Sequence, residues 1–255
     1  MSTPADYFQG NRLLDALSTV EKMRIYPQLE WISLPLSFSL YRSGLRQKYA
    51  YFPVSAVVSL QCSMSNGNVG ETAAVGSEGM VGTSIVMGGD STLGRAIVKR
   101  AGSGLRLKTQ ALKQEFDRAG PLMKLLLRYI QALMTQMSQS AVCTRHHSID
   151  QRLCRSLLMS RDRAQSAELP LTQNLLADIL GTRRESVTES AGRLQKAGLI
   201  RYARGRVSIL DRRELEKRSC ECYAVTKREC ARLLLGELTV TGVPSSNRPL
   251  SDFPG

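Results

Sequence analysis

Residues 171–194 have the sequence LTQNLLADILGTRRESVTESAGRL, in which two short helical patterns are separated by one glycine. Thr172 is a good N-cap for the first pattern. The apolar side of this pattern is formed by Leu175, Leu176, Ile179 and Leu180. Gly181 lies where the chain must turn sharply, because only glycine adopts a positive φ freely. The stretch therefore predicts two helices joined by a tight turn.

The second helical pattern begins directly after this turn. Thr182 with Glu185 fits a capping box, and Val187 faces back onto the first helix. Ala177, four residues before the glycine, is small where two crossing helices come closest. Alanine, glycine and valine at these offsets are typical of a helix-turn-helix. The outward face of the second helix is then formed by Arg183, Arg184, Glu185, Thr188 and Glu189.

These side chains suit the edges of DNA bases. Arginine can donate two hydrogen bonds to O6 and N7 of guanine, and glutamate can accept one from the N4 amine of cytosine. A plain helical hairpin with solvated charges would carry similar residues, because helices often begin with polar side chains. The motif favours DNA binding over that alternative.

Residues 197–210, AGLIRYARGRVSIL, predict a β-hairpin that follows the second helix as a wing, with its turn at Arg204–Gly205. The range Arg193–Arg213 contains seven Lys or Arg and one acid. A basic hairpin in this place is suited to hold phosphates, which supply affinity rather than sequence preference. The predicted DNA-binding set is completed by Thr172, Gln173, Arg193, Arg204 and Arg206.

The charge of the whole chain agrees with a polyanionic partner. Its 255 residues include 35 Lys and Arg against 22 Asp and Glu, a formal net charge of +13. This balance favours nucleic acid or an anionic membrane surface. The most apolar stretch, LLLRYIQALM, is interrupted by Arg128 and is too short to span a membrane, and the N-terminus lacks a signal-peptide pattern. We expect a cytoplasmic protein with no membrane partner.

The region from about residue 25 to 107 consists of short alternating or β-branched segments separated by Gly, Asn and Ser, which predicts a small antiparallel roll. The predicted fold class is α+β, with an N-terminal jelly-roll-like β-roll over residues 1–120 and a long dimerisation helix over 121–146. A winged helix-turn-helix over 147–230 follows. Residues 231–255 are expected to be a flexible tail, because their end is rich in Pro, Ser and Gly.

An apolar stripe runs along the predicted long helix. Leu126, Ile130, Leu133 and Met137 are spaced by four, three and four residues, and the polar Ser140 continues the stripe. This heptad spacing favours a seam between two copies of the helix in a homodimer. The alternative is that the stripe packs on the roll of its own chain.

The order of roll, long helix and winged helix-turn-helix resembles the Crp/Fnr superfamily of bacterial transcription regulators over nearly the whole chain. The match is strongest over LTQNLLADILGTRRESVTESAGRLQKAGLIRYARGRVSILDRREL and is supported by CTRHHSIDQRLCRSLL before it. The sequence CECY at residues 220–223 resembles a subgroup with an altered sensory domain.

The resemblance implies a sequence-specific regulator that binds double-stranded DNA as a homodimer on a roughly palindromic operator, with RNA polymerase as a further partner. It places base recognition on Arg184, Glu185 and Glu189. The cyclic-AMP receptor type has arginine at the position of Glu189, so a different target sequence is expected.

The sensory half departs from the cyclic-nucleotide receptors of the superfamily, in which a Gly-Glu pair contacts the ribose and an Arg-Ser pair contacts the phosphate. Alignment places Gly82–Thr83 and Gly94–Arg95 at these positions. Gly70–Glu71 also matches Gly-Glu but falls one strand early. A candidate effector pocket of Gly82, Thr83 and Arg95 remains, because Arg95 could still reach a phosphate. Gating by cyclic AMP is not expected, and the effector stays unknown.

The chain has six cysteines, which are expected to be reduced thiols in a cytoplasm. Cys220, Cys222 and Cys230 are weak candidates for a metal or redox site, because Cys-x-Cys spacing alone is not specific. No cofactor is expected. A ligand- or redox-sensing module that regulates a partner protein, with DNA binding secondary, is the alternative function.

An enzyme built on the roll is the rival class. A metal-dependent barrel enzyme needs several converging histidines, and the roll region contains none. The chain's two histidines, His146 and His147, lie at the helix junction, and a phosphate-loop pattern is absent. We therefore expect no enzymatic activity.

Overall fold

The computed structural model describes residues 10–65, 69–164, 166 and 168–235. The strands are β1 Glu30–Leu34, β2 Ser39–Tyr41, β3 Tyr49–Pro53, β4 Val57–Ser63, β5 Val69–Val75, β6 Arg95–Arg100, β7 Gly102–Lys108, β8 Glu168–Leu169, β9 Ile200–Ala203 and β10 Arg206–Ile209. The helices are α1 Arg12–Asp15, α2 Thr19–Ile25, α3 Thr109–Asp117, α4 Pro121–His146, α5 Ile149–Ala164, α6 Gln173–Leu180, α7 Arg184–Lys196, α8 Arg212–Arg218 and α9 Cys222–Leu235.

The first seven strands form two antiparallel sheets that enclose one apolar core. One sheet has the order β1–β7–β3 and the other has the order β2–β6–β4–β5. Phe52 and Leu105 face each other across β3 and β7 and are fully buried. A Cβ atom at Gly102 would lie 2.5 Å from the backbone nitrogen of Ala56, so only glycine fits at this position. This roll and the helices after it confirm the predicted α+β class.

Helix α4 packs against the roll and contributes side chains to its core. Pro121 lies in its first turn, where a missing N–H leaves no hydrogen bond unmade. Tyr129 is buried and its hydroxyl donates to the carbonyl oxygen of Met80 at 2.7 Å. None of the described helices combines the length and apolar character that a membrane span requires.

The stripe predicted as the dimer seam lies inside the protomer. Leu126 and Leu133 belong to the core of the roll, Met137 packs against that core, and Ile130 is buried as well. The assignment of Leu126, Ile130 and Leu133 to an intermolecular seam is therefore corrected, because their own chain already covers them, whereas Met137 is only partly buried. The alternative of packing on the roll describes Leu126, Leu133 and Met137.

A neighbouring stripe of α4 is exposed instead. Leu127, Met134 and Val142 are 50%, 59% and 51% exposed. Each residue advances an α-helix by about 100°, so the step from Leu126 to Leu127 turns the stripe from the core toward solvent. The long helix thus has one apolar face in the core of the roll and a second one uncovered in the single chain.

Helix α5 connects the roll to the C-terminal half. Its residue Arg163 donates from Nε to Glu78 Oε1 at 2.7 Å and from Nη2 to Gln136 Oε1 at 2.8 Å. Glu78 lies in the loop after β5 and Gln136 lies on α4, so one buried guanidinium holds three elements together. Helix α6 packs beside β5 on the same side of the roll.

The chain returns to α4 through its last helix. Helix α9 packs along α4, Leu233 is buried, and Leu234 packs against the core of the roll. The prediction of a flexible tail beginning at residue 231 is wrong for the segment up to Leu235, because these leucines continue the helix into the core. The remaining part of the predicted tail, 236–255, lies outside the described residues.

Candidate DNA-binding interface

The two helices of the opening stretch meet at a left-handed glycine. Thr172 caps α6, since its hydroxyl accepts from the N–H of Leu175 at 3.2 Å. Gly181 has φ of 57° and ψ of 46°, and the following N–H of Thr182 donates to the carbonyl of Ala177 at 3.1 Å. The turn thereby satisfies a carbonyl that the end of α6 would leave unpaired. The predicted cap and the predicted glycine turn are both confirmed.

Helix α7 begins one residue later than the capping-box prediction requires. Its N-cap is Arg183, and no side chain caps it. The predicted capping box of Thr182 and Glu185 is therefore wrong. The backbone N–H of Thr182, which the Glu185 side chain would cap, donates to the carbonyl of Ala177 and closes the glycine turn instead. The packing of the helix against its neighbours holds it in place. Its inward side is formed by Val187, Ala191 and Leu194, which are all buried.

The opposite side of α7 faces solvent. The exposed residues of this face are Arg183, Arg184, Glu185, Thr188 and Glu189, as the sequence predicts. Arg184 Nε lies 3.3 Å from Gln173 Oε1, which orients the guanidinium along the N-terminus of α6. The Thr188 hydroxyl donates to the carbonyl of Arg184 at 3.0 Å, within the same helix.

The hairpin β9–β10 forms the wing. Its register pairs Arg206 with Ala203 across a two-residue turn in which Arg204 and Gly205 have φ of 50° and 74°. Positive φ at both positions is the type I′ geometry that matches the twist of a hairpin. The turn projects next to the start of α6. An open groove results, lined by Thr172, Gln173, Asn174, Arg184, Tyr202, Ala203, Arg204 and Gly205.

Two predicted DNA-binding arginines are paired within the chain. Arg193 donates to both carboxylate oxygens of Asp150, at 2.9 and 2.6 Å. The hydrogen bond to Asp150 raises the pKa of Arg193, and the same bond lowers the pKa of Asp150. Arg206 lies 3.4 Å from Glu168. These exposed pairs leave Arg183, Arg184 and Arg204 as the more available cations beside the groove.

The three residues predicted for an effector pocket, Gly82, Thr83 and Arg95, each interact with their own neighbours in the chain or sheet. Gly82 has φ of 111° and begins a single 3-10 turn that includes Thr83. Arg95 donates from Nε to Gln61 Oε1 on the adjacent strand at 3.0 Å. The cleft between the roll and the helices is lined instead by other residues, among them Glu71, Lys99, Gln136, Arg155 and Arg163.

Glu71 and Lys99 form an ion pair in this cleft. Lys99 Nζ lies 2.9 Å from both carboxylate oxygens of Glu71, and Ser59 donates to the same carboxylate at 2.5 Å. Burial lowers the pKa of Lys99, and the attraction of Glu71 opposes that shift. Glu71, which the alignment sets aside, is thus a carboxylate of the cleft that Gln136 and Ser140 of the long helix also line.

The weak cysteine candidates divide into two groups. Cys220 and Cys222 lie at the junction of α8 and α9 and meet Cys143 and His147 at the end of α4. Cys230 lies farther along α9, near Arg163 and Glu78, so its inclusion with the other two is corrected. The sequence hides this grouping, because 77 positions separate Cys143 from Cys220. A face shared by Cys143 and His147, four residues apart on one helix, is the signal that could have revealed it.

Comparisons with known proteins agree with this architecture. Residues 151–218 match the family model of the Crp-like helix-turn-helix domain. No curated protein sequence matches the chain.

Solved structures with the same fold include a Crp/Fnr-family transcriptional regulator from Eubacterium rectale, with 18% identity, a TM-score of 0.66, and coverage of 84% of this chain and 98% of that one. FixK2 from Bradyrhizobium japonicum has 16% identity, a TM-score of 0.67, and coverage of 75% and 98%. The c-di-GMP-responsive global regulator CLP from Xanthomonas campestris has 16% identity, a TM-score of 0.63, and coverage of 76% and 98%. The chain therefore has the Crp/Fnr fold with a Crp-like helix-turn-helix.

The glycine turn can be tested against a second glycine of the same motif. A side chain at Gly181 or at Gly192 would meet no heavy atom within 4 Å, so crowding plays no part at either site. Gly181→Ala should lower the free energy of unfolding by about 1–2 kcal/mol, because alanine resists the left-handed region. Gly192→Ala should raise it by about 0.5–1 kcal/mol, because Gly192 lies inside α7. Chemical denaturation measures both, and a shift of the same sign in the two variants would contradict the assignment.

Proposed function

We propose that this chain, built on the Crp/Fnr fold with a Crp-like helix-turn-helix at residues 151–218, is a sequence-specific DNA-binding transcription regulator and not an enzyme. One observation supports this most strongly. The N-terminus of α6, the outward face of α7 and the tip of the wing surround a single open groove whose cations are Arg184 and Arg204. A module that only regulates a partner protein would leave this basic groove without a role.

The groove suggests a division of labour between helix and wing. Arg184 on α7 would enter the major groove and read base edges together with Glu185 and Glu189. Arg204, at the tip of the hairpin, would contact the phosphate backbone. The free N–H groups in the first turn of α6, next to its N-cap Thr172, would contact the phosphate backbone as well. Glu189 adds a hydrogen-bond acceptor to the reading face, which favours a target with cytosine opposite it.

The assembly would be a homodimer on a roughly palindromic operator. The exposed stripe of Leu127, Met134 and Val142 on α4 is an apolar face at near-heptad spacing, and a second copy of the same helix would cover it. Two such chains would present their recognition helices about 34 Å apart, one turn of DNA. This stripe replaces the seam that the sequence pattern suggests.

The regulator would work without cyclic AMP. Thr83 stands where a cyclic-nucleotide receptor has its ribose-binding glutamate, and Arg95 is engaged by Gln61 on β4. The carboxylate and ammonium groups in the cleft beside α4, from Glu71 and Lys99, already form an ion pair. RNA polymerase and a different, unidentified effector would be its partners in the cytoplasm.

Single substitutions should separate base reading from phosphate binding. Fluorescence anisotropy would compare a fragment of the protein's own promoter with random duplex DNA over a range of salt concentrations. Arg184→Ala should reduce the preference for the promoter by about 1–3 kcal/mol. Arg204→Ala should weaken both duplexes alike and reduce the salt slope by about one.

Arg42→Ala, which removes an exposed arginine from the roll, is the matched control and should change neither quantity. Added cyclic AMP should leave every affinity unchanged. Equal losses of preference in the Arg184 and Arg204 variants would contradict the division of labour, and promoter binding that depends on cyclic AMP would contradict the proposed independence.

The dimer face can be tested by charge. Leu127→Glu combined with Met134→Glu should raise the dimer dissociation constant at least tenfold, because burying either side chain contributes about 1.5–3 kcal/mol that a carboxylate would forfeit. Analytical ultracentrifugation measures this constant. Leu93→Glu, at an apolar residue of the roll that is 87% exposed, should have no effect. A wild-type monomer at micromolar concentration, or a dimer that tolerates both charges, would refute the assignment.

A further inference from the structure

A second site lies at the junction between the long helix and the DNA-binding half. Cys143 in the last turn of α4, His147 at its C-cap, Cys220 after α8 and Cys222 at the start of α9 bring their ligand atoms together within 4.8 Å of one another. We call these four residues the Cys3His cluster. Its three thiols form a buried group separate from the two large apolar cores. Three cysteines and a histidine converging on one point are a set found in structural zinc sites.

The spacing of the atoms fits one ion. Cys143 Sγ lies 3.5 Å from Cys220 Sγ, and Cys222 Sγ lies 3.6 Å from His147 Nδ1. In a regular tetrahedron with Zn–S of about 2.3 Å and Zn–N of about 2.0 Å, the edges are about 3.8 Å for two sulfurs and about 3.5 Å for sulfur and nitrogen. A cluster with two metal atoms would spread its ligands over more than one tetrahedron. The observed spread therefore favours a mononuclear site.

The histidine of the cluster is already oriented. Its Nδ1 faces Cys222, and its Nε2 lies 3.2 Å from Glu221 Oε1. A carboxylate that accepts from Nε2–H leaves Nδ1 as the nitrogen with a free lone pair. Carboxylates hold metal-binding histidines in this way, fixing both the tautomer and the direction of the ring.

The surroundings compensate negative charge. Arg155 and Arg152 of α5 lie near the cluster, and Arg155 Nε is buried without a hydrogen-bond partner. Three thiolates with a divalent ion carry one net negative charge, which a neighbouring guanidinium would balance. Arg155 also donates to Ser140 Oγ on α4 at 3.1 Å, so its position is set by the same helix that supplies two ligands.

The corner that carries Cys220 and Cys222 is fixed by the next residue. Tyr223 donates its hydroxyl to Asp162 of α5 at 2.7 Å, and Arg212 contacts both partners at 2.8 Å. The four residues of the sequence CECY therefore have distinct places: two face the cluster, one faces the histidine and one anchors the corner to α5.

We propose that Cys143, His147, Cys220 and Cys222 bind one Zn²⁺ per chain, with Glu221 as the residue that positions the histidine. The ion would join the end of α4 to the α8–α9 corner. The end of α4 and the helices that follow the wing meet at this junction, so a bound ion would restrain the DNA-binding half relative to α4. The site is independent of the groove at the wing.

Metal content tests the proposal in the full-length chain. Protein purified under reducing conditions should contain about one Zn²⁺ per chain by mass spectrometry of the element. Cys143→Ser and Cys222→Ser should lose it, whereas Cys62→Ser and Cys230→Ser should retain it. Circular dichroism identifies any variant that fails to fold. Replacing zinc by Co²⁺ in the wild-type chain should give the visible and near-ultraviolet absorption bands of a tetrahedral thiolate site. This measurement needs no variant, so it tests the site even where a substituted chain fails to fold.

The role of Glu221 has its own readout. Glu221→Gln should keep full occupancy in excess metal but lose zinc about 10–100-fold more readily to a competing chelator, because a carboxylate that orients a metal-binding histidine contributes on that scale. Unchanged competition would refute the positioning role. Six free thiols per chain with no metal, zinc retained after Cys143→Ser, iron with visible absorption, or a Cys143–Cys220 disulfide in the purified protein would each overturn the zinc site.

Discussion

The left-handed backbone at Gly181 is the constraint on which the placement of α7 depends. It lets α6 end and α7 begin within three residues, so that Val187 and Leu194 pack into the core that holds Leu176. Because that face is buried, the opposite face of α7 is exposed to solvent. The tip of the wing at Gly205 then lines the same groove as Thr172 and forms one of its walls.

Helix α4 connects this surface to the rest of the molecule through three of its faces. One packs into the roll by way of Tyr129, one is left uncovered at Leu127 and Met134, and its last turn presents Cys143 and His147 to the α8–α9 corner. A restraint at that corner would act beside α5, which packs against α7. Any coupling between the roll and the helix-turn-helix would pass through this helix, as coupling through a packed element requires.

The sequence predicts the architecture well wherever the residues act locally. Thr172, Gly181 and the Arg204–Gly205 turn each have a short-range physical reason, and each is found as expected. The capping box fails, because the N–H of Thr182 closes the turn and the helix begins one residue later. The predicted stripe of Leu126 and Leu133 is buried by the roll, and the exposed apolar stripe lies one residue further along the helix. A heptad count cannot tell which of two adjacent stripes of a helix its own roll will bury. The Cys3His cluster requires contacts between distant positions, which spacing along the chain does not contain.

Selection of duplexes from a random DNA pool, carried out without cyclic AMP, tests the central claim most directly. If paired chains present the outward face of α7 to the major groove, the enriched sequences should contain two inverted half-sites with centres about 10 base pairs apart. Substituting Arg184 should then alter the same position in both halves. A pool that remains random after selection, or enriched sites without two-fold symmetry, would contradict the proposed geometry.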